Sequence, residues 1–148
     1  MIVYITLDDL QRSLLLSNIV GYGSIVRVFI ADDSAEICAR LTTILAEIEG
    51  VKIIGQARNA HDAKRSIREL KPDVVILDIQ MPGNGGIDVL REIKLERPST
   101  VVIMLTNYSG PQFQSQCKQA GADFFFYKST EIDEAVEVLE ALSRNSSA

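Results

Sequence analysis

Three carboxylates, one hydroxyl and one amine fall at the ends of apolar runs. Asp32 and Asp33 follow VRVFIA, Asp78 closes VVILD, Thr106 closes VVIMLT, and Lys128 follows DFFFY. Adjacent like charges at the mouth of an apolar core repel and are poorly solvated, so the Asp32-Asp33 pair carries a cost that something positive should offset. A bland alternative is that one aspartate caps the following helix, beside Ser34. Capping accounts for one carboxylate and leaves the other unexplained. Carboxylates are hard oxygen ligands suited to Mg²⁺, which keeps several waters and takes one or two protein carboxylates plus a phosphate oxygen. With such a cation, Asp78 could act as a nucleophile toward a phosphoryl group, while Lys128 and Thr106 hold the phosphoryl oxygens by charge and hydrogen bond.

These residues converge only if the runs that carry them lie side by side. From Arg27 onward, short β-rich runs alternate five times with helix-length segments: VRVFIA, VKIIGQA, VVILD, VVIMLT and DFFFY suit buried strands. Between them, residues 34–49 place Ile37, Leu41, Ile44, Leu45 and Ile48 at helical spacing before Gly50, and residues 60–70 place Ala63, Ile67 and Leu70 before the Lys71-Pro72 stop. Residues 86–96 carry Ile87, Leu90 and Ile93; residues 111–120 carry Phe113, Cys117 and Ala120; the last segment carries Ile132, Val136, Leu139 and Leu142. Short crossovers cannot join parallel neighbours, so the alternation predicts an α/β fold: a five-stranded parallel sheet with helices on both faces. Ligands gather at the carboxyl ends of such strands, where strand order reverses.

The chain of 148 residues, 47% hydrophobic, can bury one proper core and is too short to be comfortable as two domains. Its 15 Lys+Arg against 20 Asp+Glu give net charge −5, and no basic stripe appears, which argues against a nucleic-acid surface. Cys38 and Cys117 sit in apolar helical patterns without metal-ligand spacing and are expected as reduced core residues. The run LLLSNIVGYGSIV, residues 14–26, follows Asp8 and Asp9, lacks a cleavage site and is too short to span a bilayer. A cytoplasmic protein with no membrane contact is expected.

IADDS, VVILDIQMPG, VVIMLT and the lysine of FFFYKS, in that order, resemble the receiver domain of two-component response regulators, the CheY-like, flavodoxin-like doubly wound fold. The similarity covers about residues 27–142 and divides the chain into an extension (1–26), a receiver (27–143) and a tail (144–148). It implies that Asp78 is the phosphoacceptor, and that Asp33, Asp78 and the backbone carbonyl of Gln80 bind Mg²⁺ directly, with Asp32 acting through water. Thr106 and Lys128 match the switch hydroxyl and the phosphate-binding lysine, and Phe125 the rotating aromatic. A sensor histidine kinase or phosphotransfer protein is then the donor, and the domain catalyses its own phosphoryl acceptance and loss without being a conventional enzyme. The wording of the strands is similar to NarL-type receivers, yet only SRNSSA follows the last helix. A stand-alone receiver is therefore expected, in which Thr106 and Phe125 move to re-form the surface of the fourth and fifth helices for an unidentified protein partner, with a homodimer also open. Two competing classes are a receiver-like interaction module that works without phosphorylation and an aspartate-nucleophile phosphatase of the haloacid dehalogenase type. The second usually needs Asp-x-Asp, and ILDIQ offers only one carboxylate.

The chain also departs from the receiver pattern. Ser129 stands where many receivers place proline, so the loop after the fifth strand is expected to be looser or differently set. Asn107, Tyr108 and Gln80 put bulk and amide groups beside the phosphoryl position and are expected to alter its lifetime. MPGNGG, residues 81–86, lacks Walker or dinucleotide spacing and reads as a turn into the third helix. His61 is expected to face solvent, and Glu131, Asp133, Glu134 and Glu137 to form a solvated face of the last helix. Outside the resemblance, Thr6-Leu7-Asp8-Asp9 reads as a capping signal, with Leu7, Leu10 and Leu14 at helical spacing. That segment could pack on the domain, mediate a dimer, or reflect a start site set too far upstream.

Overall fold

The computed structural model describes residues 25–83, 85–108 and 110–147, with side chains through Arg144; the expected helix around residues 7–14 lies outside them. Strands and helices alternate as β1 (Val26–Ala31), α1 (Ala35–Leu45), β2 (Val51–Ala57), α2 (Ala60–Leu70), β3 (Val74–Leu77), α3 (Gly86–Glu96), β4 (Val101–Thr106), α4 (Pro111–Gln119), β5 (Phe124–Tyr127) and α5 (Ile132–Ser147). All five strands are parallel, in the spatial order β2-β1-β3-β4-β5. This is the expected five-stranded α/β sheet with a flavodoxin-like order. The chain moves outward from β1 to β2 and then crosses back to β3, so strand order reverses between β1 and β3. Asp32 and Asp78 stand at that reversal.

The period-2 alternation of side chains splits the core. Val28 and Ile30, Val74 and Ile76, Ile103 and Leu105, and Phe124 and Phe126 face α1 and α5, where Cys38, Leu41, Leu45, Leu139 and Leu142 pack on them. Phe29, Val75, Leu77, Val102, Met104 and Phe125 face the other way, against Ala63 and Ile67 of α2, Val89, Leu90 and Ile93 of α3 and Cys117 of α4. Because both faces are covered, β3 and β4 are buried at every position. Doubly buried strands read as unbroken apolar runs, which is why they stood out in the sequence.

Most boundaries follow local chemistry, and a few depart from expectation. Ser34, rather than either aspartate, caps α1, its hydroxyl accepting from the Ile37 N–H at 3.2 Å. α1 ends at Leu45, and residues 46–49 form tight turns instead of a last helical turn, with Glu47 and Ile48 donating to Ile44 and Leu45. Gly50, at φ 86°, then turns the chain so that its carbonyl accepts from the Val26 N–H at 2.8 Å, which starts the β1–β2 ladder. Lys71 takes the left-handed C-cap (φ 51°, ψ 59°) before Pro72. α5 continues through Ser147, so residues 144–147 extend the helix instead of forming a tail.

Glu131 corrects the reading of a solvated acidic face. It is fully buried, its Oε1 accepting from the Tyr127 N–H at 3.0 Å while its own N–H donates to the Tyr127 carbonyl at 2.8 Å. The carboxylate therefore ties the end of β5 to the start of α5. Asp133 and Glu137 are exposed as expected, and so is His61. Cys38 and Cys117 are buried free thiols, and burial pushes the Cys117 thiol up to about 11. Among the described residues no helix is long and apolar enough to cross a membrane.

Candidate functional site

The sheet ladder continues one residue past the strands and so places the functional residues side by side. The Asp32 N–H donates to the Ala57 carbonyl (3.0 Å), the Asp78 N–H to the Ala31 carbonyl (2.9 Å), and the Lys128 N–H to the Thr106 carbonyl (2.9 Å). The backbone of α3 also supports Asp78. Gly86 donates to the Ile79 carbonyl at 2.7 Å, and a Cβ at Gly86 would lie 1.7 Å from the Asp78 carbonyl oxygen, so only glycine lets α3 start this close to Asp78. In the sequence this glycine was only part of a turn. The signal available was its place at the end of MPGNGG, eight residues after Asp78.

The side chains then meet. Lys128 Nζ lies 2.7 Å from Asp32 Oδ2 and 2.9 Å from Asp78 Oδ2, buried with both. Asp32 Oδ1 accepts from the Ser34 N–H at 2.9 Å, so both oxygens of Asp32 are engaged. Asp78 Oδ1 is buried with no hydrogen-bond partner. Carboxylate oxygens of Asp32, Asp33 and Asp78 all lie within 4.8 Å of one another, with Asp33 the exposed member. Burial raises the Asp32 pKa; the bonds from Lys128 and the Ser34 N–H oppose this, and the neighbouring charge of Asp78 adds to it. For Lys128, burial alone would lower the pKa, but the bonds to Asp32 and Asp78 outweigh it and the net direction is up. The ammonium stays charged.

This donor set fits a small hard cation. Three carboxylates face one lysine, leaving an excess of two negative charges when all are ionised. Opposite ligands of an octahedral Mg²⁺ stand roughly 4 Å apart, a separation that oxygens lying within 4.8 Å of one another can meet, and the orphaned Asp78 Oδ1 is a lone pair without a donor. Gln80, whose carbonyl was expected as a ligand, lies on the exposed loop two residues past Asp78.

The remaining sequence-selected residues frame the pocket. Thr106 is buried, and its Oγ1 accepts from the Tyr108 N–H at 3.2 Å, leaving its own proton to donate. Phe125 is fully buried and meets Tyr127 edge-on, with centroids 5.6 Å apart. The loop after β5, expected to be looser or differently set without proline, is set differently and bonded. The Ser129 N–H, which a proline would lack, donates to Asn107 Oδ1 at 3.1 Å, and no described peptide is cis.

An acidic pair at the end of β1, an aspartate after β3, a hydroxyl at the end of β4 and a lysine after β5, on this strand order, define a receiver. The chain belongs to the response regulator receiver domain family, whose model matches residues 28–140. It is 34% identical over 114 residues to the response regulator GacA of Pseudomonas aeruginosa, covering 77% of this chain and 53% of GacA. The chain thus spans about half the length of that curated relative. Among solved structures it is similar to the response regulator domain of Thermotoga maritima CheB (28% identity, TM-score 0.73, covering 81% of this chain and 97% of that one). It is also similar to a chain of the CheX-CheY-BeF₃-Mg²⁺ complex from Borrelia burgdorferi (29% identity, TM-score 0.73, covering 81% and 90%).

Proposed function

We propose that this receiver is a Mg²⁺-dependent phosphoacceptor switch in which Asp78 takes a phosphoryl group from a sensor histidine kinase or phosphotransfer protein. The observation that carries the reading is Asp78 itself: one oxygen held by Lys128, the other buried without a partner, inside a cluster of three carboxylates. Bound Mg²⁺ would be held by Asp33, Asp78 and the Gln80 carbonyl and would neutralise charge on the transferred group. The similarity to a chain solved with BeF₃ and Mg²⁺ supports the same reading.

The chain's own residues supply the rest. The Asp78 carboxylate attacks phosphorus, the P–O or P–N bond of the donor breaks, and the leaving group carries away the electron pair. Lys128 then trades its bond to Asp78 for a phosphoryl oxygen while keeping Asp32, and the Thr106 hydroxyl donates to another. Asp32, with both oxygens already engaged, acts through water. Movement of Thr106 and Phe125 re-forms the surface of α4, β5 and α5, which a downstream protein or a second copy reads. A net charge of −5 favours a protein reader over direct contact with nucleic acid. Residues 27–143 form the working unit in this reading.

Incubation with acetyl phosphate and Mg²⁺ tests it. The protein is expected to gain a phosphoryl mass that requires Mg²⁺ and disappears in Asp78→Asn; undiminished labelling of that variant would sink the assignment. No labelling of the folded wild-type protein by any small phosphodonor would favour the phosphorylation-independent interaction module.

A further inference from the structure

We propose that Asn107 is a positioning residue for Lys128, acting through the Ser129 N–H as a strut that joins the loop after β4 to the loop after β5. This rests on the reading that Asp78 accepts a phosphoryl group. Two departures from the receiver pattern, an amide after Thr106 and a non-proline residue after Lys128, are the two halves of one contact. A backbone N–H can only donate, so the bond of 3.1 Å also fixes which way the Asn107 amide points: its oxygen faces Ser129. The amide is thereby turned to the neighbouring loop, not left free above the phosphoryl position.

The strut lies next to the residues that would handle the phosphoryl group. Lys128 and Ser129 are consecutive, as are Thr106 and Asn107, and the Lys128 N–H already donates to the Thr106 carbonyl at 2.9 Å. Two successive bonds therefore clamp the two loops, where the first alone would act as a hinge. The β4 side of the clamp is held in turn. The Tyr108 N–H donates to Thr106 Oγ1, and the Tyr108 ring stacks on Phe113 of α4 with centroids 4.6 Å apart and planes 14° from parallel. Where proline would stiffen the backbone after the lysine through its ring, this chain uses a side-chain acceptor from 22 residues away. A ring is permanent, whereas a hydrogen bond can break. The strut links the aim of Lys128 to the position of Thr106, so a shift of one loop is carried to the other.

The full chain with Asn107→Ala, Ser129→Pro and both changes together tests this, with Asn107→Asp as the variant that keeps an acceptor. Amide hydrogen exchange reads the strut directly: Ser129 is expected to lose protection in Asn107→Ala and keep it in Asn107→Asp. Equal protection in wild type and Asn107→Ala would overturn the proposal. This readout needs no phosphorylation, so it separates failure of the strut from failure of the phosphoacceptor reading. The rate of labelling by acetyl phosphate is expected to fall roughly threefold to tenfold in Asn107→Ala, the range a single hydrogen bond supports, with melting temperature nearly unchanged. In the Ser129→Pro background, Asn107→Ala should cost nothing further, because the bond it removes is already gone. Additive losses, or an unchanged labelling rate in Asn107→Ala, would overturn the positioning role.

Discussion

The two ends of this sheet treat charge in opposite ways. At the amino-terminal edge, two ionic pairs, Arg27 with Asp73 and Lys94 with Asp123, close on backbone. The Arg27 guanidinium donates to the Leu70 and Lys71 carbonyls at 2.8 and 2.9 Å, and its N–H donates to Asp73 Oδ2 at 2.9 Å. Lys94 Nζ donates to the Thr100 carbonyl at 2.6 Å and to Asp123 Oδ2 at 2.8 Å, and the same oxygen accepts from the Val102 N–H at 2.8 Å. These charges stitch strand starts to the helices beside them. At the carboxyl-terminal mouth, three carboxylates share one lysine and a buried oxygen goes without a donor. The first arrangement is complete as folded, whereas the second keeps an excess of negative charge. A completed network stabilises, whereas an open one holds like charges in readiness for a ligand.

The largest effect should come from removing Lys128, the cation that bonds both Asp32 and Asp78. Lys128→Met leaves Asp32 and Asp78 facing each other, and a broken buried pair costs roughly 3–5 kcal/mol, softened here by proton uptake. Labelling by acetyl phosphate should fall about a hundredfold or more, because the developing phosphoryl charge loses its lysine. Urea unfolding and labelling kinetics measure the two losses.

Next, neutralising one carboxylate at each end should move stability in opposite directions. Asp123→Asn breaks a closed network and should cost about 1–3 kcal/mol in urea unfolding, while leaving Mg²⁺ affinity intact. Asp33→Asn relieves crowding and should raise the Mg²⁺-free melting temperature while sharply weakening Mg²⁺ binding, more than Asp32→Asn does. Equal destabilisation by Asp123→Asn and Asp33→Asn would erase the distinction.

A smaller effect should appear with pH. Because burial raises the Asp32 pKa, the folded protein holds that proton more tightly than the unfolded chain does. Mg²⁺-free stability should therefore decline as pH rises from the ordinary aspartate value, about 4, through the raised one. Cation binding needs the carboxylates ionised, so the melting-temperature gain from added Mg²⁺ should grow across the same window. A gain that shrinks with rising pH would contradict the open-site account.

Much of this was legible in the sequence, for identifiable reasons. β3 and β4 are buried on both faces, so VVIL and VVIMLT read as buried strands, and their carboxyl ends then pointed to Asp78 and Thr106. The site was legible because parallel strands bring such ends to one edge. What escaped depended on partners distant in sequence or on backbone proximity. Glu131 sits in an acidic string and looked solvated, yet it is consumed by the Tyr127 N–H. Asn107 and Ser129 each depart from the receiver pattern, but nothing in a sequence that sets them 22 residues apart pairs them. Gly86 looked like a turn glycine because the Asp78 carbonyl beside it is invisible in one dimension.

The proposed function makes the mouth an ionic site completed by a cation and a phosphoryl group on Asp78. Titration of the ¹⁵N-labelled full chain with beryllofluoride, in the presence and absence of Mg²⁺, tests it most directly. Saturable shifts of the Thr106 and Lys128 amides are expected that need both reagents and vanish in Asp78→Asn. Shifts that persist in that variant, or a wild-type spectrum that does not move, would contradict it.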